Sequence, residues 1–238
     1  MSSPRSRSAW LVGVALALLL ARPARAGGDP RPIVAVIYFG YDRDDEMAVL
    51  RKGLASMLIT DLSPVDRIRL VERERLEAII AEQHLADQIT IDPETAIKIG
   101  KVLQARYLVL GHYFVLAGRL QANARVVDTQ TGAQVGHAKG IGAPGDFLEV
   151  EQQLARGLTE QLTALGPQAA PAAAPTTKPP ARPAPPAQLK LPTALAYSRA
   201  LDAIDKKDKP RAKKELTQVV KEQPDFKLAM LDLDRLMH

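Results

Sequence analysis

The run D-P-E-T-A-I-K-I-G-K-V-L-Q-A-R-Y-L-V-L-G-H-Y over 92–113, continued by L-Q-A-N-A-R-V-V-D over 120–128, decides the fold. Asp92 before Pro93 predicts a helix start: an acceptor at the N-cap, then a residue already set to helical φ. Ile97, Gly100 and the Leu103/Gln104 pair recur at helical spacing. From 106 to 110 the pattern switches to a continuous apolar run, as expected of a strand buried on both faces. Gly111 interrupts it. Leu120, Ala122, Ala124 and Val126 then alternate with Gln121, Asn123 and Arg125, the pattern of a strand with one buried and one wet face. A helix therefore feeds a central strand, and the central strand feeds a hairpin.

Outward from this run, 33–39 is dense in β-branched and aromatic residues and reads as a buried first strand ended by Gly40. The acidic 42–46 segment suits a solvated helix start. Met47, Leu50, Leu54, Met57/Leu58 and Leu62 mark one face of the helix that follows, stopped by Ser63-Pro64. A short strand is expected over 67–73 and a helix over 74–85, with the charges Glu72, Arg73, Glu74, Arg75 and Glu77 forming a solvated junction. Strands at 106–116, 119–128 and 133–140 are joined by turns tight enough for antiparallel hairpins. Asp146 opens a last helix whose stripe is Phe147, Val150, Leu154, Leu158, Leu162 and Leu165. The expectation is an α/β domain over 27–166 with a mixed sheet in β-α-β-α-α-β-β-β-α order.

The ends of the chain differ in character from this domain. Arg5 and Arg7, an apolar stretch over 10–20, and Ala24-Arg25-Ala26 have the order of a secretory signal peptide over 1–26. The apolar stretch is too short to span a bilayer, and no transmembrane segment is expected after cleavage. The 238 residues carry a net charge of +5, but 27–166 hold 15 Lys/Arg against 19 Asp/Glu, a net −4. Nucleic-acid binding is thereby disfavoured despite the high overall pI. The 167–188 segment has eight prolines in 22 residues and cannot build a core; extended, it reaches up to ~70 Å. Beyond it, 189–238 reads as a helical segment with helices at 192–207, 210–222 and 226–237. Its apolar positions Leu195, Ala200, Ile204, Leu216 and Val220 are the candidate partner-binding residues.

No constellation for chemistry emerges. His84, His112, His137 and His238 fall at no metal-ligand spacing. Gly100-Lys101 fails as a phosphate loop, because Thr95 stands where the first glycine is needed and Val102 where Ser/Thr is needed. No nucleophile elbow, zinc-protease or dinucleotide motif occurs. There is no cysteine, hence no disulfide and no thiol for a lipid anchor. No cofactor is expected, and the residues read as a binding or assembly module.

One set of motifs points to a family. Leu54-x-x-Met57-Leu58-Ile59-Thr60-Asp61-Leu62, then Val71-Glu72-Arg73-x-Arg75-Leu76-Glu77-x-Ile79, resemble the curli assembly/transport family of secreted bacterial envelope proteins. So do Ile91-Asp92-Pro93-x-Thr95-Ala96 with Ile99-Gly100-Lys101, the Ala105 to Gly111 strand, and Ala124-Arg125-Val126-Val127-Asp128-x-x-Thr131-Gly132. Relatives include a flagellar outer-membrane lipoprotein and the N-terminal domain of the Tol-system propeller protein. The resemblance implies a non-enzymatic periplasmic scaffold, outer-membrane associated, working through envelope proteins and as a homo-oligomer. It marks Asp61, Glu72, Arg73, Leu76, Asp92, Pro93, Gly100, Gly111, Asp128 and Gly132 as motif residues. An oligomeric outer-membrane secretion channel is the rival, and needs hairpins longer than these turns allow. The tail resembles a single tetratricopeptide-type repeat at Ala200, Asp208, Ala212, Leu216, Val219 and Pro224.

Overall fold

The structure, a computed structural model, describes residues 29–82, 93–166 and 189–238. The expected signal peptide, His84, the Asp92 N-cap and the proline-rich 167–188 segment lie outside the described residues. The elements are β1 (Ile33–Val36), α1 (Leu50–Leu62), β2 (Arg69–Leu70), α2 (Arg73–Glu82) and α3 (Pro93–Val102). They are followed by β3 (Tyr107–Leu116), β4 (Arg119–Asp128), β5 (Gln134–Gly142) and α4 (Phe147–Leu165). Three further helices close the chain: α5 (Leu191–Asp205), α6 (Lys209–Glu222) and α7 (Lys227–Met237).

The five strands form one mixed sheet in the order β2-β1-β3-β4-β5, parallel at β2-β1-β3 and antiparallel at β3-β4-β5. Helical crossovers bring β1, β2 and β3 together in parallel, whereas β3, β4 and β5 follow one another through turns. The β3–β4 turn is Ala117-Gly118, both with positive φ, which matches the twist of a two-residue hairpin. Asp128 Oδ1 accepts from Gln130 N at 2.8 Å and so shapes the second turn, where Gly132 has φ +72°.

Two strands are shorter than the sequence suggests. Regular β1 ends at Val36, yet the chain stays beside β3 through Ile37 N to Val109 O (3.0 Å) and Gly40 N to Gly111 O (2.8 Å). The cause is Phe39. Its ring lies against Gly111, so a Cβ there would sit 2.0 Å from Phe39 Cε1. β2 is reduced to two residues, anchored by Arg69 N to Pro32 O and Val71 N to Val34 O, both 2.9 Å.

On the inner face, Leu120, Ala122, Ala124 and Val126 are buried as their alternation predicts. β5 presents small residues inward, Gly136, Ala138, Gly140 and Gly142, which allow α4 to lie close over the strand. α1 departs from expectation. Gly53, Ala55, Ser56, Ile59 and Thr60 are buried along with Leu50, Leu54, Met57, Leu58 and Leu62. It is covered almost all round because α4 packs on one side and α5 on another. Among the described residues no helix is long and apolar enough to cross a membrane.

Candidate functional site

The tail helix α5 meets α1 at a close, polar seam. Gly53 of α1 faces Ser198 of α5, and a Cβ at position 53 would stand 1.9 Å from Ser198 Oγ. Ser198 turns its hydroxyl back to Ala194 O at 2.8 Å, so the buried Oγ is satisfied. Nearby, Ser56 Oγ and Tyr197 OH are 3.3 Å apart, and Tyr197 OH donates to Asp232 Oδ2 of α7 at 2.8 Å.

Charged groups line the same seam. Arg73 Nη1 reaches Asp205 Oδ1 at 2.8 Å and Oδ2 at 3.0 Å, with side chains only 4% and 6% exposed. Lys52 Nζ lies 2.8 Å from Asp205 Oδ2, 3.3 Å from Asp202 Oδ1 and 3.5 Å from Glu77 Oε1. Tyr38 OH donates to Glu77 Oε2, and the Lys52 ammonium stands 5.7 Å from the Tyr38 ring centre. Lys206 completes the set with a 2.9 Å contact to Asp202. Burial alone would lower the Lys52 pKa, but Asp205, Glu77 and Asp202 outweigh it and raise it. Burial would likewise raise Asp202, yet Lys206 and Lys52 hold it below its ordinary value.

Three cations thus meet three carboxylates. Such a closed set fastens α5 to α1 and α2. The solvated junction expected at 72–77 is corrected for Arg73. It is buried because α5 brings Asp205, distant in sequence, onto it. Glu72 remains exposed, and its carbonyl accepts from Arg75 N and Leu76 N at the start of α2.

The other motif residues hold the fold. Leu76 is in the core, Pro93 begins α3, and Gly100 lets α3 approach Leu108 and Thr129. Asp128 is buried and takes Arg106 Nη2 at 2.6 Å. In the tail, Leu195, Ala200 and Leu216 are buried within the chain, and Ile204 and Val220 are partly buried against the same core. Two of the histidines lie beside a single carboxylate each. His112 Nε2 lies 3.0 Å from Asp42 Oδ2, and His238 lies 3.7 Å from Asp234. Among the described residues no three His, Cys, Asp or Glu side chains converge as a metal site.

Sequence reasoning missed a second buried acid. Glu151 of α4 is fully buried and neither carboxyl oxygen receives a hydrogen bond from a permanent donor among the described residues. It shares the α1–α4 contact with Asp61, whose carboxyl is pushed up to about 6 by burial. Burial and the Asp61 charge push Glu151 well up as well, opposed weakly by Arg156. Both shifts favour the protonated form of the pair, because burial opposes two carboxylate charges at one contact. Glu151 sits amid the stripe Phe147, Val150, Leu154, and that placement was its only sequence signal.

Comparison with known proteins bears on these elements. Residues 41–115 match the curli production assembly/transport component CsgG family. This CsgG-type region contains α1, β2, α2, α3 and most of β3, including Lys52, Asp61 and Arg73, but not the tail. The motifs read at 54–62, 71–79 and 91–111 fall inside it. No curated protein is a significant match. Among solved structures, the LpoB C-terminal domain from Salmonella enterica is 16% identical, covering 50% of this chain and 87% of its own, with a TM-score of 0.35. Lipoprotein GNA1162 from Neisseria meningitidis is 14% identical, covering 47% and 80%, with a TM-score of 0.39. The PelC dodecamer from Paraburkholderia phytofirmans is 15% identical, covering 56% and 89%, with a TM-score of 0.37. Superpositions at this level carry no functional weight.

Proposed function

We propose that this chain is a non-enzymatic scaffold of the bacterial cell envelope, exported to the periplasm and acting through protein–protein contacts in assembly or transport. The observation that carries the reading is the match of 41–115 to a curli production assembly/transport component, across the helices that form the α5 seat. Outer-membrane association, homo-oligomer formation and the tetratricopeptide-like role of 189–238 belong to the same proposal. Periplasmic crosslinking followed by mass measurement tests it. Complexes heavier than one chain are expected, and a monomer at every crosslinker dose would defeat the reading.

A further inference from the structure

The sheet face turned away from α1 and α4 is open beyond the point where α3 covers Leu108. Its rungs follow from the strand register. Leu116 stands opposite Arg119; next come Phe114, Gln121 and Ile141; then His112, Asn123 and Lys139; then Leu110, Arg125 and His137. These rungs contain no carboxylate. Asp42, from the loop after β1, reaches the face beside His112. Arg125, His137 and Lys139 are exposed, and their side chains have no partner among the described residues.

This basic face lies on a domain whose own balance is −4, so composition alone does not produce it. Arg125 faces His137 directly across the β4–β5 pair, with Lys139 diagonal to it. The Arg125 and Lys139 charges repel one another and are relieved by an anion between them. A concavity of about 440 Å³ lies there, lined in part by Leu110, His112, Asn123 and the three basic residues. Toward the β3–β4 turn the face gains apolar side chains beside Arg119 and Gln121, with Leu116 68% exposed and Phe114 and Ile141 half-buried.

We propose that this face docks an acidic segment of a partner protein that also carries apolar side chains. Its carboxylates lie over Arg125 and Lys139, and its apolar groups cover Phe114, Ile141 and Leu116. Charge complementarity selects the acid. The apolar end selects a protein over an anionic glycan, whose hydroxyls would gain nothing from Leu116. The proposal rests on the protein-interaction reading above and names the surface that serves it.

The test uses the chain from residue 27 onward and fluorescence anisotropy. The probes are a short labelled peptide of alternating Glu and Leu, and a labelled oligogalacturonate as the glycan arm. The peptide is expected to bind, more weakly as salt rises. Arg125→Glu with Lys139→Glu is expected to weaken it at least about five-fold. Arg125→Gln with Lys139→Gln, and separately Leu116→Ser, should move affinity the same way with unaltered thermal melts. Equal peptide affinity in all variants, no peptide binding by the unaltered chain, or tighter binding of oligogalacturonate would overturn the proposal. Periplasmic crosslinking separates the two readings. Complexes that persist in Arg125→Glu/Lys139→Glu remove this face and leave the scaffold reading intact, whereas no complex from the unaltered chain removes the scaffold reading itself.

Discussion

Replacing Glu151 by Gln should make the protein more stable at neutral pH, although it removes a buried acid. In the folded chain Asp61 titrates near 6, about two units above the ~3.9 of an unfolded aspartate. The folded state therefore holds a proton that the unfolded state has released. Stability from this source is fully present below about pH 4 and is lost as pH rises through about 6. Two units at 1.36 kcal/mol each give about 3 kcal/mol, and solvent screening on the half-buried Asp61 reduces this to on the order of 1–2 kcal/mol. Glu151 shifts in the same direction and adds to the loss. A glutamine amide donates permanently to the Asp61 carboxylate and has no carboxyl proton to lose. Urea unfolding followed by circular dichroism at about pH 5 and about pH 7.5 reads the effect. The loss carried by Asp61 comes from its burial and persists in the variant, so Glu151→Gln removes only what Glu151 adds: the unaltered chain should lose more stability over that interval than Glu151→Gln, and the variant should be the more stable at the upper pH. Asp202, whose pKa is lowered, acts in the opposite sense and at lower pH, so it does not mimic the result. Parallel pH profiles for the two proteins would refute the buried-acid account.

Gly111→Val should cost about 1–3 kcal/mol, because the added atoms fall on the Phe39 ring; an unchanged melting temperature would mean that the ring moves freely. Asp205→Ala should cost about 3 kcal/mol by leaving Arg73 buried without its partner, read by urea unfolding, with faster amide exchange in α5 as the local signature. Residues 189–238 alone should show a weak, easily melted helix by circular dichroism, strengthened on adding 27–166. Cooperative melting of the isolated tail with no response to 27–166 would count against the α1 seam as its support. The chain recovered from the periplasm should begin at Gly27 by mass spectrometry, and an intact Met1 would contradict export.

By itself, the sequence determined the elements whose cause is local. The alternation Leu120, Ala122, Ala124, Val126 is a period of two, so it places β4 and its inner face without help from the rest of the chain. The Phe147–Leu162 stripe does the same for α4, and the short turns at 117–118 and 129–133 require antiparallel β3-β4-β5. Contacts between distant segments left no such periodic mark. Met47, Leu50, Leu54 and Leu62 predict one buried face for α1; the further burial, at Gly53 and Ser56 among others, arises because α5 lies on one side of it and α4 on another. Arg73 looks solvated beside Glu72 and Glu74 until Asp205, 132 residues later, is folded against it. Glu151 reads as one more surface acid until α1 closes over it with Asp61. Burial sets the free energy of a charge, and burial is a property of the packed chain.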